Sequence, residues 1–146
     1  MELKKVEGAA LQQDDQGRPF SDLIGEFQPF AYYDKHLDCI RVHIHDCSAV
    51  EERQNRIFTV MRALHSNAEV TRDDFAGFNI KGVRYLFKEM SFGMLDKQAC
   101  YKVAEILTAI VKHFPNQGVQ EVSDKVQPIL ERCGLEVEID FEPAVA

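Results

Sequence analysis

Hydrophobic and polar positions alternate with a period of two over residues 38–47. Ile40, Val42 and Ile44 fall on one face; Cys39, Arg41, His43, His45 and Cys47 fall on the other. This predicts a β-strand with an aliphatic inner face and an outer face of imidazole, thiol and guanidinium groups. Residues 135–142 alternate in the same way, with Leu135, Val137, Ile139 and Phe141 on one side and Glu136, Glu138, Asp140 and Glu142 on the other. They predict a second half-buried strand, stopped by Pro143. Residues 27–33 are a third extended segment, and residues 34–38 have the polarity of a hairpin connection into the histidine strand.

Helical spacing dominates the chain between these strands. Ser48 and Glu51 form a capping box, which predicts a helix over 48–65 with Val50, Ile57, Met61 and Leu64 on one stripe. Thr71, Asp73 and Asp74 predict another helix start. Gly77, Gly82 and Gly93 divide the middle into short helices with one bend or loop around Gly77 to Gly82, the best helix lying over 83–90. Residues 96–114, opened by Asp96, carry Ala99, Val103, Ile106, Leu107, Ile110 and Val111 at spacings of three and four, as expected for a central core helix. A last amphipathic helix is predicted over 119–133, kinked at Pro128 and stopped by Gly134 in a left-handed conformation.

Strands near the two ends with helices between them predict an α+β fold. The expected arrangement is a small antiparallel β-sheet, an N-terminal hairpin plus the C-terminal strand, covered on one face by four or five helices. A length of 146 residues fits a single α+β domain over 1–146, with the mixed, polar residues 1–22 packed loosely. Ten Phe and no Trp leave phenylalanine and aliphatic side chains to fill the core.

Charge and cysteine usage narrow the function. Lys and Arg number 17 against 24 Asp and Glu, a net charge of −7, and no basic run offsets it, so no nucleic-acid partner is expected. The four cysteines form no Cys-x-x-Cys pair, and no apolar signal segment or membrane-length stretch is present. A cytoplasmic protein with free thiols and no membrane association is expected.

Candidate chemistry concentrates on the histidine strand. Same-face residues two apart lie about 6.6 Å apart, so His43 and His45, joined by Cys47, could converge on Zn²⁺ or another transition metal. A His-x-His pair is nonspecific, however. The preferred reading pairs this strand with the C-terminal one, setting carboxylates opposite Arg41, His43 and His45 in a charge ladder that raises the histidine pKa values. Cys47, just ahead of the predicted helix, could form a thiolate beside His45. No third orienting group accompanies it, and a passive thiol is preferred.

In the middle region Tyr85, Leu86 and Met90 fit a core stripe, whereas Phe87 and Phe92 fall off it. Together with Met94 these two are the candidate interface to a protein partner or a second copy of the chain. Phosphate-binding, dinucleotide-binding, nucleophile-elbow and Ca²⁺-loop motifs are all absent. The sequence therefore points to a small acidic binding or regulatory protein acting through a protein–protein interface, with no catalytic constellation and no cofactor. The alternative is a metal-binding or metal-sensing protein using His43, His45 and Cys47.

Overall fold

Hydrogen-bonded pairing, more than helical packing, organises the chain. The computed structural model describes residues 27–91 and 99–141. In order these form β1 (Phe30–Asp34), β2 (Cys39–His43), β3 (Ala49–Arg53), β4 (Phe58–Ala63), β5 (Phe75–Lys81), α1 (Val83–Glu89), β6 (Ala99–Lys102), α2 (Val103–His113), α3 (Gln117–Cys133) and β7 (Glu136–Ile139). A five-stranded antiparallel sheet has the order β1-β2-β5-β4-β3, and β6 pairs with β7 in a separate two-stranded sheet.

The expected small sheet under four or five helices is thus corrected to five plus two strands with three helices among the described residues. Residues 48–65 are a hairpin, not a helix. The Asn55 side-chain oxygen accepts from the amides of Ile57 and Phe58, both at 2.9 Å, and the Gln54 amide donates to the Phe58 carbonyl at 2.9 Å. This local turn competes successfully with the Ser48–Glu51 box. The residues that follow, Phe58, Thr59 and Val60, are aromatic and β-branched and suit a strand. Thr71 and Asp74 likewise close a turn on each other, the Thr71 amide 3.0 Å from the Asp74 carboxylate, and β5 begins at the next residue.

Two predicted helices survive in altered form. The predicted helix over 96–114 loses its N-terminal part, because Ala99–Lys102 pairs with Glu136–Ile139 as a strand; its Asp96 cap lies outside the described residues. The last helix is continuous through Pro128. Asp124, whose carbonyl loses its partner, is exposed along with Pro128, so water can satisfy the freed group. Asn116 caps this helix by accepting from the Val119 amide at 3.1 Å. Gly134 ends it at φ 61°, with the Leu135 amide returning to the Leu130 carbonyl at 3.3 Å.

One face of the five-stranded sheet is the core face. Paired rows Ala31–Val42–Phe78–Val60 and Tyr33–Ile40–Ile80–Phe58 cross it. They merge into one apolar cluster with Val83, Leu86 and Phe87 of α1, Ile106 and Ile110 of α2, Val122 and Val126 of α3, and Val137 and Ile139 of β7. β7 lies beside β1, where the Tyr33 ring meets Phe141 edge-on at 5.6 Å and Lys35 is 3.6 Å from Asp140. At the opposite edge β3 is exposed along its whole length.

The turn between β1 and β2 anchors α1. Asp38 sits at φ 52°, a left-handed conformation that Asp tolerates better than most residues. Its carboxylate accepts from the Tyr33 hydroxyl and from the Arg84 amide, and its carbonyl accepts from the Val83 amide at 3.2 Å. Gly82 at the start of α1 has no side chain for this purpose, so the hairpin turn supplies the missing acceptor from a distance in sequence.

Two substitutions test this architecture. Gly77 faces β2 so closely that a Cβ would collide with the Val42 carbonyl oxygen and lie 2.6 Å from the Met61 methyl. Gly77→Ala should therefore lower the unfolding free energy by about 1–3 kcal/mol. Phe87, 1% exposed and edge-on to Tyr101 and Phe141 at 5.1 and 5.3 Å, is a core residue. Phe87→Ala should cost about 3–5 kcal/mol in denaturant titration; a near wild-type midpoint would contradict its placement.

Candidate functional site

The side chains on the other face of the five-stranded sheet are not aliphatic. Register places Phe30, His43, Gly77, Met61 and Glu51 in one row across it, and Tyr32, Arg41, Asn79, Thr59 and Arg53 in the next. The strand alternation that buries Ile40, Val42 and Ile44 thereby delivers Arg41 and His43 to this outer face. β1 adds two aromatic rings, and β5 adds a glycine and an asparagine.

At the β1 side the rings form a stacked group. The His43 imidazole lies on Phe30 with centroids 4.7 Å apart and rings 18° from parallel, and Tyr32 is 6.4 Å from both. Phe30 and Tyr32 are nevertheless 45% and 46% exposed, so each presents a large apolar area to solvent. Loss of hydration around His43, assisted by the Arg41 charge, pushes its pKa below the ordinary value. This reverses the sequence expectation. The neighbours of β2 are β1 and β5, so no carboxylate ladder from β7 faces the histidines.

Toward β5 the same face contains a cavity of about 270 Å³, lined by Leu37, Cys39, Arg41, Glu51, Asn79 and Lys81. Asn79 is 1% exposed, and neither its amide nitrogen nor its carbonyl oxygen has a hydrogen-bond partner among the described residues. Buried carboxamides are normally satisfied, so a fully unpaired one calls for explanation. Arg41 approaches Asp34 at only 3.9 Å. Among the described residues Lys81 and Glu51 have no ion-pair partner. Burial drives the Cys39 thiol up despite the nearby Arg41 and Lys81 charges, which keeps it protonated at neutral pH.

The residues singled out from sequence are not brought together. Among the described residues no three His, Cys, Asp or Glu side chains cluster closely enough to hold a metal ion. His43 instead stacks on Phe30. Cys47 is followed by β3 and not by a helix, so no helix N-terminus stabilises its thiolate; burial, with Asp46 and Glu69 nearby, pushes its pKa up. Phe87 is in the core, a correction to its expected exposure, while Tyr85 is the exposed residue at 58%. Val83, Leu86, Phe87 and Met90 make the buried stripe; Leu86 and Met90 are buried as expected, and Phe87 takes the place given to Tyr85. Phe92 and Met94 lie outside the described residues. Sequence reading passed over Phe30, Tyr32 and Asn79. The first two were signalled by alternation with Ala31 and Tyr33 in an extended segment; Asn79 fell in the bend or loop expected around Gly77 to Gly82, which is a central strand instead.

His43 gives this face a pH signature. Its folded pKa lies below the ordinary 6.5, so the unfolded chain binds more protons as pH falls through that region. Its contribution to stability is therefore present above the unfolded value and diminishes as pH drops below about 6.5 toward the folded pKa. Between pH 7 and 5 the wild-type chain should lose more stability than His43→Gln, measured by parallel thermal melts. Equal losses in the two proteins would mean that His43 is not desolvated.

Among the described residues no helix is long and apolar enough to cross a membrane. No protein-family model matches the chain, and no curated protein or solved structure matches it either.

Proposed function

We propose that this chain is a small acidic binding or regulatory protein that engages a protein partner through the outer face of its five-stranded sheet. The observation that carries the reading is the half-exposed pair Phe30 and Tyr32, stacked with His43 beside Arg41. Aromatic residues and Arg are the groups most enriched where protein interfaces derive their affinity. Here the rings are held by strand pairing and mutual stacking, so little conformational entropy is lost when a partner covers them. The interface thus moves from the helix containing Phe87 to the sheet.

Stacked rings on an antiparallel sheet also suit nucleic-acid bases. The net charge of −7 opposes that use, and Arg41 and Lys81 share the face with Glu51 and Asp34. A protein surface with an apolar centre and a polar rim suits this mixed charge better. The four cysteines are unpaired, which supports a reducing compartment such as the cytoplasm for this activity.

The test compares the full chain with a Phe30→Ser, Tyr32→Ser double variant. Partners are captured from the source cell, identified, purified and titrated back, and self-association is followed by sedimentation. Both side chains are half exposed, so the melt should change by no more than about 0.5 kcal/mol each. Affinity for the partner, or for a second copy, should fall by roughly 2 kcal/mol, about thirtyfold. Unchanged association in a normally folded double variant would remove this face from the function.

A further inference from the structure

We propose that two copies of this chain join through β3, each strand pairing antiparallel with its own copy across a two-fold axis so that Glu51 of one faces Arg53 of the other. This contact is separate from the Phe30–Tyr32 surface and does not depend on it. Two features carry it: an edge whose backbone groups have no strand to bond, and the signs of two charges along that edge.

The β3–β4 register decides which backbone groups are left over. The Leu64 amide donates to the Ser48 carbonyl at 2.8 Å, and the Gln54 amide donates to the Phe58 carbonyl at 2.9 Å, both continuing that register. Antiparallel alternation then turns the amides and carbonyls of Val50 and Glu52 toward β4, and those of Ala49, Glu51 and Arg53 away from it. All five residues are exposed, and among the described residues no strand follows β3 in the sheet. Three donors and three acceptors along one edge are a template for another strand.

The side chains select which strand. Glu51 and Arg53 share the outer face of the sheet, two residues and about 6.8 Å apart. Among the described residues neither has an ion-pair partner, although the Arg53 Nε donates to the Asn55 carbonyl at 3.2 Å. An antiparallel two-fold centred on Glu52 sets each opposite its counterion, with cross-strand Cβ atoms about 5 Å apart. Both Glu51–Arg53 rungs are then hydrogen-bonded ones, because those residues direct their amides outward. Centring the axis on Glu51 would instead set Glu51 against Glu51 and leave Arg53 opposite Ala49. Glu52 does meet its own copy on the inner face, but each Glu52 is held by its own Arg62 at 2.6 Å, which offsets the like-charge contact. Edge charges of one sign deter self-pairing; opposite signs two residues apart are self-complementary when the strand runs antiparallel. The net charge of −7 is spread over the whole chain and screened beyond about 8 Å at physiological ionic strength, so it opposes two pairs at contact distance only weakly.

Sedimentation equilibrium of the full chain tests the contact. A monomer–dimer equilibrium is expected with a Kd at or below about 100 µM, as suits a small interface. Glu51→Arg and Arg53→Glu each place like charges on both rungs and should weaken association by about tenfold or more. Both side chains are exposed, so the diluted variants should melt with the wild-type chain. Mixing the two variants restores opposite signs on both rungs and should give a heterodimer with the wild-type Kd. Hydrogen exchange supplies a second reading: the Glu51 and Arg53 amides should gain protection as concentration rises, whereas those of Val50 and Glu52, already directed at β4, should not change. The proposal is overturned if the chain stays monomeric at about 1 mM, or if the mixture associates no better than either variant alone. Self-association that is lost in the Phe30→Ser, Tyr32→Ser chain but kept in Glu51→Arg would place the contact on the sheet face and overturn it as well.

Discussion

The insertion of β5 between β2 and β4 is the constraint on which the rest of the molecule depends. Without it the chain has two separate hairpins, each with little to bury. With it, Phe78 and Ile80 bring Val42, Ile40, Val60 and Phe58 into adjoining rows, and one continuous apolar surface forms. The pairing joins residues as distant as Ile40 and Ile80, so the loop entropy lost in bringing them together must be offset by this burial. Gly77 permits the close approach. Any side chain there would press on the backbone of β2, and the bulge between Met61 and Arg62 marks where the β4 register has already adjusted.

The same strand sets the polarity of the molecule. Its inward residues are fully buried hydrophobes, whereas its outward residues are Gly77, Asn79 and Lys81. A central strand with those three residues on one face cannot receive a covering helix at a favourable free energy. The helices and the β6–β7 pair accordingly gather on the other side, where Ile106, Ile110, Val122, Val126, Val137 and Ile139 join the core. Segregation of the layers is thus a consequence of which face of β5 is apolar. Desolvation on the outer side then favours the neutral form of both the His43 imidazole and the Cys39 thiol.

Legibility from sequence followed the strength of the local signal. The inner faces of β2 and β7 were evident because strict alternation of Ile or Val with polar residues has no helical counterpart. The last helix and its Gly134 stop were evident for a similar reason, with capping and apolar spacing in agreement. β3 and β4 were not. β3 buries neither face, so it leaves no alternation, and the Ser48–Glu51 spacing imitates a helix start. β5 was obscured because Phe75, Ala76, Gly77, Phe78, Asn79 and Ile80 are all buried, so burial along it shows no period of two. Strand partnership was also beyond local reading, since the carboxylate face of β7 gave no sign that it would pair with β6. The outer-face site failed to appear for a compound reason: Phe30, Arg41, Asn79 and Glu51 come from four strands, of which β3 had been taken for helix and the Asn79 end of β5 for a bend.

The unequal treatment of the two sheet edges limits the growth of any assembly built on strand addition. β1 is shielded by β7 through Tyr33, Phe141 and the Lys35–Asp140 pair, whereas among the described residues no strand lies beyond β3, which carries Glu51, Glu52 and Arg53. A sheet with both flanks open can add copies at either end and propagate as a fibre. The five-stranded sheet, with β3 as its one open flank among the described residues, has a valence of one. Two copies meeting through β3 would consume both open edges and close the assembly at a pair.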